Sequence, residues 1–199
     1  MLRRQRRGTP ADVLVVGLGN PGKEYERTRH NVGADTVLLL ARRHGAHLRP
    51  LKFQATSDEV SIDGHRVAFG IPLTYMNESG LALRRLVDRY DVEPEQLVVV
   101  HDELDLEPTV VRVKVGGGLA GHNGLRSIQQ HLKTQDFLRV RIGIGKPPNP
   151  RQGANHVLDR FSKRERDEMD VAIEVAADAV ETIVREGAEA AMTKFNARA

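Results

Sequence analysis

Residues 12–31, DVLVVGLGNPGKEYERTRHN, constrain the fold more strongly than any other stretch of the chain. The apolar run at 13–16 is short and mostly β-branched, and Gly17 follows it, a pattern typical of a buried strand in an α/β sheet. A polar loop comes next and ends at a histidine. Loops at the carboxyl ends of strands form the ligand crevice of open α/β sheets, so we expect Asn20 and His30 to lie in a functional site.

The loop at 17–22, GLGNPG, matches the G-x-G-x-x-G motif of dinucleotide-binding proteins. That motif opens directly into a helix packed on the sheet, and an acidic residue follows about 20 positions later. Here residues 23–31 have no apolar stripe, and Arg42 and Arg43 occupy the later position. The pattern favours a bend that aims Asn20. We expect no cofactor, and a nucleotide-dependent oxidoreductase stays the alternative.

The remaining patterns predict further strands and helices, and 199 residues suit one domain. Helix 31–44 ends at Gly45, which can adopt the left-handed C-terminal cap, and a hairpin of strands 54–62 and 65–71 turns at Asp63 and Gly64. Asn77 or Ser79 is expected to cap the next helix. Later elements are strands at 97–100, 110–115 and 137–145, a helix capped by Asn123, a long helix from Ser162 to Gly187 and a short helix over 188–197.

Polar side chains follow the second buried strand, where His101, Asp102 and Glu103 come after residues 97–100. A metal site is conceivable from these types, but neighbouring residues of a strand point to opposite faces, which disfavours a shared ligand sphere. We expect no metal and predict instead that Asp102 pairs with a histidine from another strand end. His30 precedes a predicted helix N-terminus, and this position favours the neutral imidazole.

Basic residues alternate with apolar ones in two later strands. Arg112 and Lys114 share one face of strand 110–115, and Arg139 and Arg141 share one face of strand 137–145, which indicates either phosphate contacts or half-solvated strands. Between them, GGGLAGHNG at 116–124 is typical of a mobile lid or of backbone that approaches a ligand closely. This loop brings a histidine and Asn123 to a helix start, where an amide and backbone donors could hold an oxyanion.

Charge and composition restrict the class of protein further. The net charge is +3, the pI is about 9.4 and cysteine is absent, so disulfides and thiolate chemistry are excluded. Residues 1–11 carry four arginines without apolar periodicity and are expected to form a disordered basic tail. No run reaches the roughly 20 apolar residues of a membrane helix, so we expect a cytoplasmic protein with no membrane contact.

Taken together, the motifs resemble the bacterial-type peptidyl-tRNA hydrolases. GLGNPGKEYERTRHNVG, PLTYMNESG, HDELDL, GGGLAGHNGLRSI and FLRVRIGIGKP occur in the family's order at similar spacing, over roughly residues 13–196. The resemblance implies a monomer whose single three-layer α/β domain, over 12–199, has a twisted mixed sheet flanked by helices. It also implies cleavage of the ester between a peptide and the ribose of tRNA, with peptidyl-tRNA as the substrate.

The same resemblance implies roles for individual residues. His30 is the catalytic histidine, Asp102 is its carboxylate partner, and Asn20, Asn77 and Asn123 line the site. Further motif positions beside the site are Tyr25, Asn31, Met76 and His122. Arg112, Lys114 and Arg141 fall where the family contacts tRNA, although Arg112 replaces a lysine, and EPTV after HDELDL departs from the family's pattern.

The chemistry also follows from the residue types. An activated ester requires a water nucleophile, a base with a pKa near neutrality and donors for the oxyanion. Histidine, with an ordinary pKa of about 6.5, suits the base role. We hypothesise that His30 deprotonates water, Asp102 orients His30, and Asn123 with nearby backbone N–H groups stabilises the oxyanion. Asn20 and Asn77 would hold the backbone amides of the peptide.

Two alternative functions are a hydrolase with a serine nucleophile and a protein that binds RNA without catalysis. A serine nucleophile is disfavoured because none of the serines lies in a G-x-S-x-G elbow. A non-catalytic RNA-binding protein would rest on the basic strands and the tail. It would protect the ester, whereas the enzyme releases free tRNA.

Overall fold

One seven-stranded sheet forms the centre of the computed structural model, which describes residues 9–197. The strands are β1 Val13–Gly17, β2 Arg49–Leu51, β3 Ala55–Ile62, β4 His65–Pro72, β5 Leu97–Glu103, β6 Val111–Val115 and β7 Leu138–Gly143. Residues 1–8, which hold the arginines of the predicted tail, lie outside the described part. Ala11 is already buried, and its N–H donates to the Tyr90 carbonyl.

The strand order is β2-β3-β4-β1-β5-β7-β6. The four central strands β4, β1, β5 and β7 are parallel, whereas β2, β3 and β6 run antiparallel to their neighbours. The predicted mixed sheet is therefore confirmed. Because β1, β5 and β7 are parallel neighbours, their carboxyl ends open at one edge, where the polar loops converge.

Helices cover both faces of the sheet and complete three layers. The α-helices are α1 Val32–His44, α2 Ser79–Tyr90, α3 Asn123–Leu132, α4 Gly153–Leu158, α5 Lys163–Glu186 and α6 Ala188–Asn196. The first core cluster includes α1, α5 and α6, and the second includes α2 and α3. Among residues 9–197, no helix has the combined length and apolar character that crossing a membrane requires.

Several predicted boundaries move in the structure. His30 lies in a short 3-10 turn, Arg29–Asn31, and α1 begins only at Val32. Neither Asn77 nor Ser79 caps α2, since Ser79 is its first residue and donates its hydroxyl to the Met76 carbonyl. The strand predicted over 97–100 continues to Glu103, so Asp102 lies inside β5. The sequence patterns also missed β2 and α4.

Glycines at the end of β1 and at the start of α1 give a structural reason for the loop that matches G-x-G-x-x-G. A Cβ on Gly33 would lie 2.1 Å from the Val100 carbonyl oxygen, and one on Gly17 would lie 2.3 Å from the Gly33 oxygen. The Leu18 N–H donates to the Val100 carbonyl, and its own carbonyl accepts from Ala34. These contacts press the first turn of α1 onto β1 and β5, and they carry His30 to the carboxyl end of β5.

The C-terminal helix covers the outer edge of β6. The Asn196 side chain accepts from the Val113 N–H at 2.9 Å and donates to the Val113 carbonyl at 2.8 Å. Arg112 donates to the carbonyls of Val111 and Phe195. An uncovered edge strand would offer its backbone to other chains, and these side chains satisfy that backbone instead.

Candidate active site

His30 and Asp102 meet at the carboxyl end of the central strands, as predicted. His30 Nδ1 lies 2.9 Å from both carboxylate oxygens of Asp102. Both residues are buried, Asp102 almost completely and His30 with 8% of its surface exposed. Since Asp102 is an acceptor, Nδ1 carries the proton and donates it. The other ring nitrogen, Nε2, is then left with a lone pair and can act as a base.

The pKa of each partner reflects this pairing. Burial lowers the pKa of His30, but the charge of Asp102 and the hydrogen bond to it outweigh burial, so the pKa is raised above its ordinary value. For Asp102 the effects are reversed. Burial acts to raise its pKa, but the two histidines beside it outweigh burial and hold that pKa well below its usual range. The expectation that the helix N-terminus lowers the pKa of His30 is wrong in direction, because the nearby carboxylate dominates.

His122 is the second donor to Asp102. Its Nε2 lies 2.8 Å from Asp102 Oδ1. Its Nδ1 accepts from the backbone N–H groups of Gly124 at 3.1 Å and Leu125 at 3.4 Å, so His122 caps α3. The predicted cap, Asn123, is instead the first residue of the helix. An Nδ1 that accepts two N–H groups cannot carry a proton, and His122 is therefore a neutral ring that donates through Nε2.

His30, Asp102 and His122 also place three possible metal-ligand atoms within 4.8 Å of one another. Ligation through His122 Nε2 would require a proton on Nδ1, and this proton would collide with the two N–H groups that cap α3. The donor set therefore fits a hydrogen-bonded histidine–carboxylate–histidine group better than it fits a metal ion.

Asn31 holds Asn20 in place. The Asn31 side-chain amide accepts from the Asn20 N–H at 2.8 Å and donates to the Asn20 carbonyl at 2.9 Å. The Asn20 side-chain oxygen accepts from the Met76 N–H at 2.7 Å. With that oxygen engaged, the side-chain NH2 of Asn20 is the part of the amide that can meet a substrate carbonyl.

Met76 joins this loop to the start of α3. It is buried, and its sulfur would lie 2.6 Å from a Cβ added to Gly124. Asn77 follows it in a short 3-10 helix and is exposed. Nearby, Tyr25 and Tyr75 pack edge to face with their ring centroids 6.3 Å apart, and Tyr75 is exposed. Asn77 and the two tyrosine rings therefore lie on either side of Met76, whose backbone N–H binds the Asn20 side chain.

Close packing of α2 on α3 fixes Asn123 relative to these groups. A Cβ on Gly80 would lie 2.1 Å from the Ser127 carbonyl oxygen, and the Gly80 N–H donates to the Ser127 hydroxyl at 2.9 Å. Asn123 itself is exposed, and its side-chain oxygen lies 3.4 Å from Arg126 Nη1. The amide of Asn123 is therefore open to solvent beside the half-buried His122.

The basic residues do not form one uniform surface. Lys114 and Arg141 are half-buried, and Arg141 Nη1 lies 3.9 Å from Glu103 Oε2. Arg112 is engaged with the end of α6, as described above. Arg139, which sequence alternation placed on the same face as Arg141, is 1% exposed beneath the glycine-rich loop. Of the residues on the predicted basic faces, Lys114 and Arg141 are thus partly accessible, whereas Arg139 is covered.

His101 lies behind the site. It is buried, its Nδ1 lies 2.7 Å from the Asp102 carbonyl, and its ring centroid is 5.1 Å from that of His122. Burial is the largest effect that lowers the pKa of His101 to about 3. This environment favours a neutral His101 ring, which packs against the His122 ring.

Comparisons with known proteins agree with the motifs. A family model described as peptidyl-tRNA hydrolase matches residues 14–199. The peptidyl-tRNA hydrolase of Cutibacterium acnes is 46% identical over 194 residues, with 92% of this chain and 97% of the relative covered. That of Nocardia farcinica is 49% identical over 186 residues, with 92% and 96% covered.

A solved structure gives the same result for the fold. The crystal structure of the peptidyl-tRNA hydrolase from Acinetobacter baumannii has a TM-score of 0.88 and 42% identity, covering 96% of this chain and 97% of that one. The fold, the motifs and the sequence relationship agree over nearly the whole described chain, and the chain therefore belongs to the peptidyl-tRNA hydrolase family.

Proposed function

We propose that this chain hydrolyses the ester between a peptide and tRNA through a water molecule activated by His30. The observation that carries the proposal is the contact of His30 Nδ1 with both oxygens of Asp102, which directs the basic Nε2 away from the carboxylate. Because the pKa of His30 is raised, its neutral ring is a stronger base than an ordinary histidine.

The reaction requires two proton transfers. His30 Nε2 takes a proton from water as the oxygen attacks the ester carbonyl, and the imidazolium that forms is stabilised by Asp102. The carbonyl oxygen becomes an oxyanion, for which the exposed amide of Asn123 is our candidate donor. When the tetrahedral intermediate collapses, the C–O bond to the ribose breaks and His30 returns the proton to the ribose oxygen. The products are a free peptide acid and tRNA.

Substrate selection follows from the amides around the site. Asn20 and Asn77 would bind the first backbone amide of the peptide, with Tyr25 and Met76 beside them and Asn31 holding Asn20. Backbone recognition requires no particular peptide sequence. An aminoacyl-tRNA whose amine is free lacks that amide and offers a charged group in its place. We therefore expect the blocked substrate to be strongly preferred.

The tRNA would be held through its phosphates by Lys114 and Arg141, since both are half-buried cations that keep part of their surface exposed. Arg112 is the weakest of the three predicted contacts, because its guanidinium already donates to α6. A monomeric state and a cytoplasmic location stay predictions from the sequence.

Release of free tRNA from N-acetyl-aminoacyl-tRNA and from unblocked aminoacyl-tRNA tests the proposal. We expect rapid cleavage of the first substrate only. Equal cleavage of both would contradict the assignment of Asn20 and Asn77, and protection of the ester without product would indicate a binding protein. Replacement of Asn20 by Asp, which removes the NH2 donor, should reduce cleavage of the blocked substrate by about 10-fold or more.

A further inference from the structure

A buried arginine lies beneath the glycine-rich loop, where the mechanism above assigns it no task. Arg139, on β7, has the largest of the fully buried side chains. Within residues 9–197 no carboxylate forms an ion pair with it, and Glu103 makes its 3.9 Å contact with Arg141 instead. Burial and the neighbouring Arg141 lower the pKa of Arg139. Because burial of an unpaired cation is costly, the hydrogen bonds that this side chain makes must offset part of that cost.

The guanidinium holds the loop by its carbonyls. Arg139 Nη2 donates to the Gly116 carbonyl at 2.6 Å, and Nη1 donates to the Gly118 carbonyl at 2.9 Å. Gly117 lies between them with a φ of +88°, and a Cβ there would lie 2.4 Å from Lys114 Cε. The backbone therefore rests directly on the side chains of Lys114 and Arg139.

Besides the Arg139 donors, the loop is held by Leu119, which packs against the second core cluster, and by the Gly116 N–H, which donates to the Phe137 carbonyl at 3.0 Å. Gly117, Gly118, Ala120 and Gly121 are exposed, and the glycines have no side chains to pack. Yet the loop must deliver His122 to within 2.8 Å of Asp102. Glycine-rich backbone loses much entropy on ordering, so a rigid donor beneath it has a large effect on how often the loop adopts this conformation.

We propose that Arg139 is a positioning residue, whose hydrogen bonds to Gly116 and Gly118 hold the loop so that His122 reaches Asp102 and Asn123 faces the substrate. This inference rests on the proposed function for its effect on rate. Both terminal nitrogens are engaged and the side chain is covered, so Arg139 acts through the loop and does not touch the substrate.

The variant Arg139→Met separates this role from a general structural one. Replacement by an apolar side chain removes the cost of a buried charge but also removes the two hydrogen bonds to loop carbonyls, so we expect an unfolding midpoint close to that of the original chain. The loop loses both donors. Because a displacement of about 1 Å in a catalytic site can cost 100-fold, we expect kcat for N-acetyl-aminoacyl-tRNA to fall by about 10- to 100-fold. KM should change by less than about threefold, since no substrate contact is removed.

Amide hydrogen exchange supplies a second measurement that needs no substrate. In Arg139→Met we expect faster exchange at 117–122 and unchanged exchange in β5 and β7. The matched control is Arg185→Met, on α5, whose arginine pairs with Asp63 and Glu181 far along the chain from the loop. This control should leave kcat and loop exchange unchanged. If Arg139→Met does not fold, Arg139→Lys, which keeps the charge but not the two-pronged donor, replaces it in both measurements.

Several outcomes would overturn the inference. An unchanged kcat, or unchanged exchange at 117–122, would show that Arg139 does not hold the loop. A fall in the unfolding midpoint with faster exchange throughout the sheet would indicate a structural role only, and a rise in KM alone would indicate a tRNA contact. If the original chain releases no tRNA, the proposed function fails, whereas the exchange measurement still decides the role of Arg139.

Discussion

Replacement of His122 tests whether one ring both caps α3 and donates a hydrogen bond to the Asp102 carboxylate. His122→Ala removes both interactions, whereas His122→Asn keeps an oxygen that can accept from the Gly124 and Leu125 N–H groups. Loss of a cap costs about 0.5–2 kcal/mol, and loss of a hydrogen bond to a charged group costs about 1.5–3 kcal/mol. We therefore expect the free energy of unfolding to fall by about 1.5–3 kcal/mol for the Asn variant and about 2–5 kcal/mol for the Ala variant.

Urea denaturation at pH 7, followed by far-UV circular dichroism, measures both values. A loss of about 1.5 kcal/mol moves the urea midpoint by about 0.5–1.5 M, which is readily resolved. His47→Ala is the matched control, because His47 is exposed and should change stability by less than about 0.5 kcal/mol. Equal midpoints for the Asn and Ala variants would refute the cap. A midpoint for the Asn variant equal to that of the original chain would refute the contribution of the Asp102 hydrogen bond.

Two further predictions concern pH and salt. If the neutral His30 ring is the base, cleavage should increase with pH through a midpoint above 6.5, because Asp102 raises the His30 pKa. In Asp102→Asn burial alone remains, so the midpoint should drop below 6.5. An unmoved pH–rate profile would contradict the pairing. If Lys114 neutralises a phosphate, Lys114→Ala should reduce the slope of log affinity against log salt by about 0.7–0.9, measured by filter binding of tRNA. Arg112→Ala should leave that slope unchanged and chiefly lower the unfolding midpoint. Equal slopes for both variants would refute the proposal that Lys114, and not Arg112, contacts the tRNA.

The elements that sequence analysis found are those whose patterns are local. The runs at 13–16 and 97–100 are apolar and β-branched, and they predict buried strands whose carboxyl ends carry polar loops. From this alone His30 and Asp102 could be placed together. The α5 capping box of Ser162 and Glu165 is equally local and is present in the structure.

The features that sequence analysis missed depend on contacts between distant segments. His122 caps α3 although histidine is not a typical capping residue. Its second partner, Asp102, lies on β5, 20 residues earlier in the chain. Arg139 alternates with valine and leucine as a half-solvated residue would, and only the return of the glycine-rich loop over β7 buries it. No local pattern reports either contact.

The direction of the His30 pKa shift was predicted wrongly because two effects compete. A helix N-terminus acts on a nearby charge by about 0.3–1 kcal/mol, mostly at exposed positions. A carboxylate 2.9 Å away, in a site shielded from water, acts more strongly. The sequence could indicate that Asp102 and His30 meet, but it could not indicate that both would be buried when they do.

The proposed mechanism requires His30 as the base that activates water. Under conditions of excess enzyme, the single-turnover rate of tRNA release from N-acetyl-aminoacyl-tRNA should fall by about 100- to 10,000-fold in His30→Gln, while binding of the tRNA is retained. A rate within about threefold of that of the original chain would contradict the assignment of His30 and with it the proposed mechanism.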